Sequence, residues 1–461
     1  MIDLGQERGD GCPRRQSEKS REMKVIKPAR QLGLVMCTAL VVGNMIGSGI
    51  FLLPATLAPY GWNSIFGWVL TIAGGILLAI VFAALSRNFP KAGGPYAYTQ
   101  EAFGPAAGFL VAWSYWISIW VGNAAVATGA VSYLSVFFPS LSSTTGLHAV
   151  VTIGVIWILT AVNCRGTYLA GSVQLVTTLL KVLPLFAVIA LGAVIFAGDS
   201  GASVAPLVAS DISLGPITAA ATLTLWGLLG LESATVPAEK VKDPTRTIPR
   251  ATMIGMIITG VIYLFACSAI ILLQPADEVA ASSAPFADFV AKHWGADAGK
   301  WLALFAAISG FGALNGWILL QGELPNAMAK GGVFPVFLAK TSAQNTPVRA
   351  LVVSSLLMTG VVLLNYSKSM TEAFQFILLL STTASLVMYL VCALAALKLK
   401  SSGRLKSSLI LIAVSAVAAV YALWAISGAG AEAVGWGAVL LVAGLPVYFI
   451  ARRDAVTSQA Q

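Results

Sequence analysis

The sequence predicts an all-α polytopic membrane protein of about twelve transmembrane helices, built as two inverted repeats of five with two helices appended. Three observations carry this. The chain is 57% hydrophobic and only 10% charged, where a soluble domain carries about 25% charged residues; its mean hydropathy is +0.84. Twelve apolar stretches follow one another, each near the ~17–25 residues a bilayer crossing needs. The first and the sixth are interrupted by glycine-rich sequence at matching places, about 180 residues apart.

The stretches run over 33–58, 64–85, 105–138, 148–164, 172–196, 215–238, 250–274, 299–322, 349–366, 372–397, 406–428 and 433–451. The third is too long for one perpendicular crossing, so it tilts or projects from the membrane. The longest polar stretches are 1–32 and 275–298, too short for a soluble domain. Charge sets the topology. Lys292, Lys300 and Lys368 lie on one side and Lys181 lies inside the fifth stretch; every other Lys and Arg falls in the tails or in loops of the opposite side. The positive-inside rule puts that side, and both termini, in the cytoplasm of a plasma (cell inner) membrane. The +9 charge is therefore topology, not a nucleic-acid signature. Residues 1–32 lack the apolar core of a cleavable signal peptide and read as a solvated tail, matched by a tail at 452–461.

The first interruption is Gly47-Ser48-Gly49, with Pro54 beyond; the second is Trp226-Gly227-Leu228-Leu229-Gly230, followed by Glu232. Non-helical backbone at membrane depth survives only where it lines a protein or water cavity. Gly43 and Gly47 also fit a GxxxG helix-packing pattern. Packing explains Gly43 better than it explains a second glycine at 49. Five spans per repeat is odd, so 33–196 and 215–397 would be inverted relative to each other, with 406–451 appended and the substrate at the midplane between helices 1 and 6. Unwinding near Gly47 would free N–H groups that favour an anion such as an α-carboxylate.

Two charges lie inside spans. A mid-membrane carboxylate at Glu232 is costly, so it bonds across spans, holds a proton or meets a cationic ligand. Lys181, some ten residues into its span, either snorkels to an interface or bonds the unwound carbonyls of span 1, where it could replace a sodium ion or carry a proton. Trp226 and Trp317 sit mid-span in helices expected to border the cavity, where aromatic faces bind cations. Tyr115, Trp116, Trp120 and Tyr389 are further mid-span aromatics, and Asn44, Ser118, Asn123 and Ser381 are polar groups that would complete a site or serve as interhelical glue. The five cysteines are scattered and the two histidines, His148 and His293, lie far apart, so no metal, disulfide or cofactor is expected. No GxxxxGK[ST] occurs, which argues against ATP-driven transport, and no nucleophile–base or metal constellation suggests an enzyme.

At these residues the chain resembles the amino acid–polyamine–organocation superfamily, above all the arginine/agmatine antiporter and basic amino-acid/polyamine relatives. The stretches that carry the likeness are Gly43 to Pro54, Tyr115-Trp116 to Gly122-Asn123, Thr224 to Ala234, and Gly316-Trp317 with Gly331 to Pro335. The resemblance implies a leucine-transporter-like fold and alternating access. It implies carboxylate capture by backbone at Ile46, Gly47, Ser48 and Gly49, and side-chain contacts from Asn123, Trp226, Trp317 and Ser381. Tyr115 would be an outer gate and Glu232 a proton-sensing or coupling group, and Tyr389 is a further gating or coupling candidate. Ser118, Ile119, Gly227 and Leu229 replace other small or apolar pocket residues of the antiporter. Lys181 stands where the antiporter is apolar and instead resembles the broader amino-acid permeases.

These observations together predict a secondary amino-acid transporter, exchanging a cationic amino acid for a related amino acid or amine. The alternative is a proton-coupled or exchanging permease for neutral amino acids. Expected partners are a small amino acid or amine and the lipid bilayer, with a homodimer left open and no nucleic acid.

Overall fold

A computed structural model of the chain describes residues 32–459, apart from 48, 91–92, 166–167, 199–203, 236–237, 239–240 and 345; the side chains of 168–180 and 454–459 also lie outside the description. Nearly all of the expected N-terminal tail, with Cys12, and the central Ser48 therefore fall outside it.

The described residues are helical, with one isolated bridge pairing Leu32 and Val241. The first apolar stretch gives α1 (Leu34–Met45) and α2 (Gly49–Leu57). Gly61, at φ 47°, turns the chain into α3 (Trp62–Asn88). Two Gly–Pro junctions then start α4 (Pro95–Phe103) and α5 (Pro105–Ser132): a glycine with positive φ stands before each, and proline at the first helical position lacks the N–H that would go unpaired there. A single turn, α6 (Ser140–Ser143), leads to α7 (Leu147–Cys164) and α8 (Tyr168–Gly198).

The sixth stretch gives α9 (Leu214–Gly227), which stops where the chain turns over Gly230 at φ 105°. Beyond it the described residues hold only a 3-10 turn, Ser233–Thr235, before α10 (Pro244–Leu273). The polar stretch 275–298 is not plain loop. It holds α11 (Ala276–Ala281) and the amphipathic α12 (Pro285–Trp294), whose Phe286 and Phe289 are buried, Phe286 packing edge-on to Phe51 of α2. Then come α13 (Ala296–Lys330), α14 (Val348–Leu364), α15 (Met370–Ser401), α16 (Ile410–Ser427), α17 (Gly430–Val442) and α18 (Gly444–Gln459). A capping box starts α15: the Glu372 N–H donates to Ser369 Oγ at 3.2 Å and the Ser369 N–H to the Glu372 carboxylate at 3.0 Å.

Nine helices among the described residues are long and apolar enough to cross a membrane, and the pair α1 and Gly49–Tyr60 would make a tenth. The other two of the twelve expected spans give shorter helices: α9 has 14 residues, and α14 has 17, the low end of what a crossing needs. The eighth is longer than the apolar run 299–322, because charged residues at either end project past the hydrocarbon without breaking the helix. Helix α18 likewise runs on through most of the expected C-terminal tail.

Burial tells which helices are central. In its apolar window α5 is 89% buried and α15 72%, against 17% for Gly430–Arg453. The α5–α15 contact is pinned by Ser114 Oγ to the Ala384 carbonyl at 2.5 Å and Ser381 Oγ to the Ser118 carbonyl at 2.8 Å. Peripheral α7, α8 and α16 expose Ile158, Phe196 and Val420 on faces suited to lipid.

Candidate functional site

The site starts from the end of α1. A helix leaves its last four carbonyls without intrahelical partners, and in a bilayer each unpaired one costs several kcal/mol. Here every one is met. Ile46 N–H donates to the Val42 carbonyl at 2.8 Å. The Gly47 N–H turns to the Met45 carbonyl at 3.0 Å, and Gly43, its α-helical partner, is left free. Lys181 Nζ from α8 donates to the Gly43 carbonyl at 3.1 Å, Trp317 Nε1 from α13 to Asn44 at 3.2 Å, and the Tyr263 hydroxyl from α10 to Met45 at 2.9 Å. Three helices thus cap one helix end. Lys181 is fully buried; its partner is the carbonyl at Gly43, one turn earlier than Gly47, because α1 keeps its helical form through Met45.

Beside this end lies a cavity of about 50 Å³, room for a few waters. Its wall brings together Asn44, Gly47, Ser118, Asn123, Trp226, Leu229, Trp317 and Ser381, with Tyr115 and Glu232. Ile46, Gly49, Lys181 and Tyr389 stand behind it, and Ser48 lies outside the described residues. Gly49 lies under the Trp226 indole: a Cβ there would sit 1.9 Å from the ring. Gly230 of the second interruption lines the cavity too, and so do Met45, Gly122, Val126 and Ser385, which are not among the candidate residues read from the sequence. A helical period finds most of them, since 115, 118, 119, 122, 123 and 126 form one face of α5, and Ser385 lies one turn beyond Ser381.

The electrostatics follow from where the protons point. Glu232 is buried, and its Oε2 accepts from the Tyr389 hydroxyl at 2.8 Å; Tyr115 and the Gly230 backbone also reach the carboxyl group. These are neutral donors, not a basic side chain. Four other donors of the wall are turned into the protein. Ser118 Oγ donates to the Tyr115 carbonyl at 2.9 Å, Ser381 Oγ to Ser118, Trp317 Nε1 to Asn44, and Asn123 Nδ2 to Gln321 Oε1 at 2.7 Å. A hydroxyl with its one proton committed to a carbonyl offers only lone pairs.

A second cavity of about 280 Å³ shares Tyr115 and Ile119 with the first, and is also lined by Gly93, Tyr96, Glu323 and Met328. Its lining includes Gly93, just past the end of α3 that carries Arg87, and Met328, in the last turn of α13 with Lys330. Tyr115 stands between the two cavities, on the basic-loop side of the central one.

The pattern of the amino acid permease family matches residues 32–434. Among curated relatives, the cadaverine/lysine antiporter of Escherichia coli strain K12 is 35% identical over 73% of this chain and 75% of its own length. The putative arginine/ornithine antiporter of Bacillus subtilis strain 168 is 32% identical over 82% and 86%. The putrescine transporter PotE of Haemophilus influenzae is 29% identical over 91% and 97%.

Proposed function

Because this chain belongs to the amino acid permease family, we propose that it is a secondary active transporter that works by alternating access and exchanges a cationic amino acid for a related amino acid or amine. The observation that carries the cationic assignment is the polarity of the cavity wall. Glu232 is bonded by phenols and backbone, and four side-chain donors on the wall are committed to protein acceptors. Such a wall attracts a ligand that brings its own protons and positive charge. The names of the relatives, a cadaverine/lysine and an arginine/ornithine antiporter among them, point the same way.

In this reading residues 33–196 and 215–397 are the two inverted repeats, and α1–α2 and the segment after α9 are their broken helices. The substrate carboxylate, expected at Ile46 to Gly49, meets the backbone where α2 begins at Gly49 and the first N–H groups of a helix have no intrahelical acceptor; the Ile46 and Gly47 N–H groups are already bonded to Val42 and Met45. Trp226 and Trp317 flank the cation, and Asn44, Ser118, Asn123, Leu229 and Ser381 complete the pocket. Tyr115, Glu232 and Tyr389 form a gate on the basic-loop side, in place of an outer gate at Tyr115. Lys181 holds the end of α1 in place of a sodium ion. That extra buried cation is also what favours the second reading, a permease for neutral amino acids.

Purified protein in proteoliposomes decides between them. Radiolabelled lysine, ornithine and putrescine should enter vesicles loaded with a cationic amino acid or amine, and enter empty vesicles far more slowly. Faster uptake of leucine than of any cation, or uptake indifferent to internal substrate, would overturn the proposal.

A further inference from the structure

Behind the cavity wall a buried chain of amides and hydroxyls crosses four helices. Asn123 Nδ2 on α5 donates to Gln321 Oε1 on α13 at 2.7 Å, and Gln321 Nε2 donates to Ser355 Oγ on α14 at 3.2 Å. Ser355 Oγ lies 2.7 Å from Thr160 Oγ1 on α7, and Thr160 donates to the Ile156 carbonyl at 2.7 Å. Gln321 is fully buried, and Ser354 Oγ holds its carbonyl at 3.0 Å.

The direction of this chain is forced from its far end. A carbonyl only accepts, so the single Thr160 proton goes to Ile156. Ser355 must then donate to Thr160, which leaves it an acceptor toward Gln321. Gln321 therefore turns its NH₂ to Ser355 and its oxygen to Asn123. Asn123 must answer with its NH₂, and its oxygen is left for the cavity that Asn123 lines. Reversing Asn123 would set oxygen against oxygen at 2.7 Å, and reversing Gln321 would set NH₂ against NH₂ there and its oxygen against the Ser355 lone pair at 3.2 Å.

We propose that Gln321 is a specificity-determining positioning residue, which fixes Asn123 as a hydrogen-bond acceptor and so selects a substrate with a donor at that wall, a side-chain ammonium or guanidinium. Gln321 touches no substrate; it lies one helical turn past Trp317, so the same distal cation faces the indole and the Asn123 oxygen. This rests on the cationic reading given above.

The test compares lysine with norleucine, which has the same carbon chain with hydrogen in place of the ε-ammonium, by calorimetry and by competition for labelled uptake. Wild-type protein should prefer lysine. In Gln321→Leu the Asn123 amide is free to turn over, and the lysine-to-norleucine affinity ratio should fall about tenfold. Gln321→Glu keeps an oxygen facing the Asn123 NH₂ and, in its protonated form, an O–H facing Ser355, and should retain the ratio at a pH low enough to protonate it. Ser355→Ala leaves Gln321 in place but removes the anchor of its orientation, and should lower the ratio as well; it serves if Gln321→Leu does not elute as a folded protein. Wild-type protein that prefers norleucine defeats the cationic reading itself. A wild-type preference for lysine that survives unchanged in Gln321→Leu or in Ser355→Ala defeats the role of Gln321 alone, as does equal loss of both ligands with no change in ratio.

Discussion

Gly49→Ala is the smallest change with a large expected effect. A Cβ at residue 49 would lie 1.9 and 2.0 Å from two atoms of the Trp226 ring and 3.3 Å from Phe374. No such contact survives, so the indole must leave. Its departure breaks the edge-to-face pair with Phe374, now 5.5 Å between centroids at 88°, worth about 0.5–1.5 kcal/mol. Residual overpacking adds about 1–3 kcal/mol. The displaced ring has the adjoining 50 Å³ cavity to enter, so ligand binding should be lost along with stability. Gly47→Ala is the control: its Cβ would meet only Val126 at 3.8 Å, an ordinary contact. Thermal unfolding in detergent should show a clear fall for Gly49→Ala and little change for Gly47→Ala. The double variant Gly49→Ala/Trp226→Ala should recover most of the stability that Gly49→Ala loses relative to Trp226→Ala. Additive losses in that cycle, or a Gly49→Ala protein as stable as wild type, would refute the steric argument.

Three other outcomes are expected. Lys181→Met removes the donor to the Gly43 carbonyl and should cost about 1–3 kcal/mol in detergent unfolding; wild-type uptake should not require sodium, and the variant should keep the shape of the pH–uptake profile at lower amplitude, a flattened profile instead marking Lys181 as a proton carrier. For a cationic substrate Trp317→Ala should weaken calorimetric binding more than Trp317→Phe does, by about 0.5–2 kcal/mol, because phenylalanine keeps an aromatic face while losing the bond to Asn44; equal affinities would remove the cation from that wall. Tyr389→Phe deletes the 2.8 Å bond to Glu232 and should destabilise wild-type protein by about 1–3 kcal/mol but the Glu232→Gln background by less, a coupling that a double-mutant cycle reads directly.

What the sequence makes legible is whatever one segment reports about itself. Composition gives the membrane, glycine interruptions mark the ends of α1 and α9, and a lone Lys181 in an apolar run announces a buried partner. What it hides is the identity of partners on other helices. Nothing in the run Trp317 to Glu323 distinguishes Gln321 from an interfacial polar residue; its meaning comes from Asn123, 198 residues earlier. The polar stretch 275–298 conceals α12 because its buried face is only a few residues wide, and Phe286 acquires significance only against Phe51. Gly49 reads as backbone that could meet a carboxylate; that its missing side chain also makes room for Trp226 shows only in the fold. Helices α9 and α14 are short for a local reason: each ends in turn-forming sequence, at Gly227–Gly230 and Asn365.

The three donors at the end of α1 also impose an order on biogenesis. The first span emerges from the ribosome long before its partners: Lys181 follows Gly43 by 138 residues, Tyr263 follows Met45 by 218, and Trp317 follows Asn44 by 273. Until those residues arrive, carbonyls at the end of α1 have no protein donor from outside the helix, and lipid supplies none. A nascent chain that ends before α13 therefore carries a first span that must stay near water, lean on the insertion machinery, or run on as an uninterrupted helix. The interruption at Gly47 becomes affordable only when the eighth span has entered the membrane, so the most proximal helix of the chain is among the last to reach its final form.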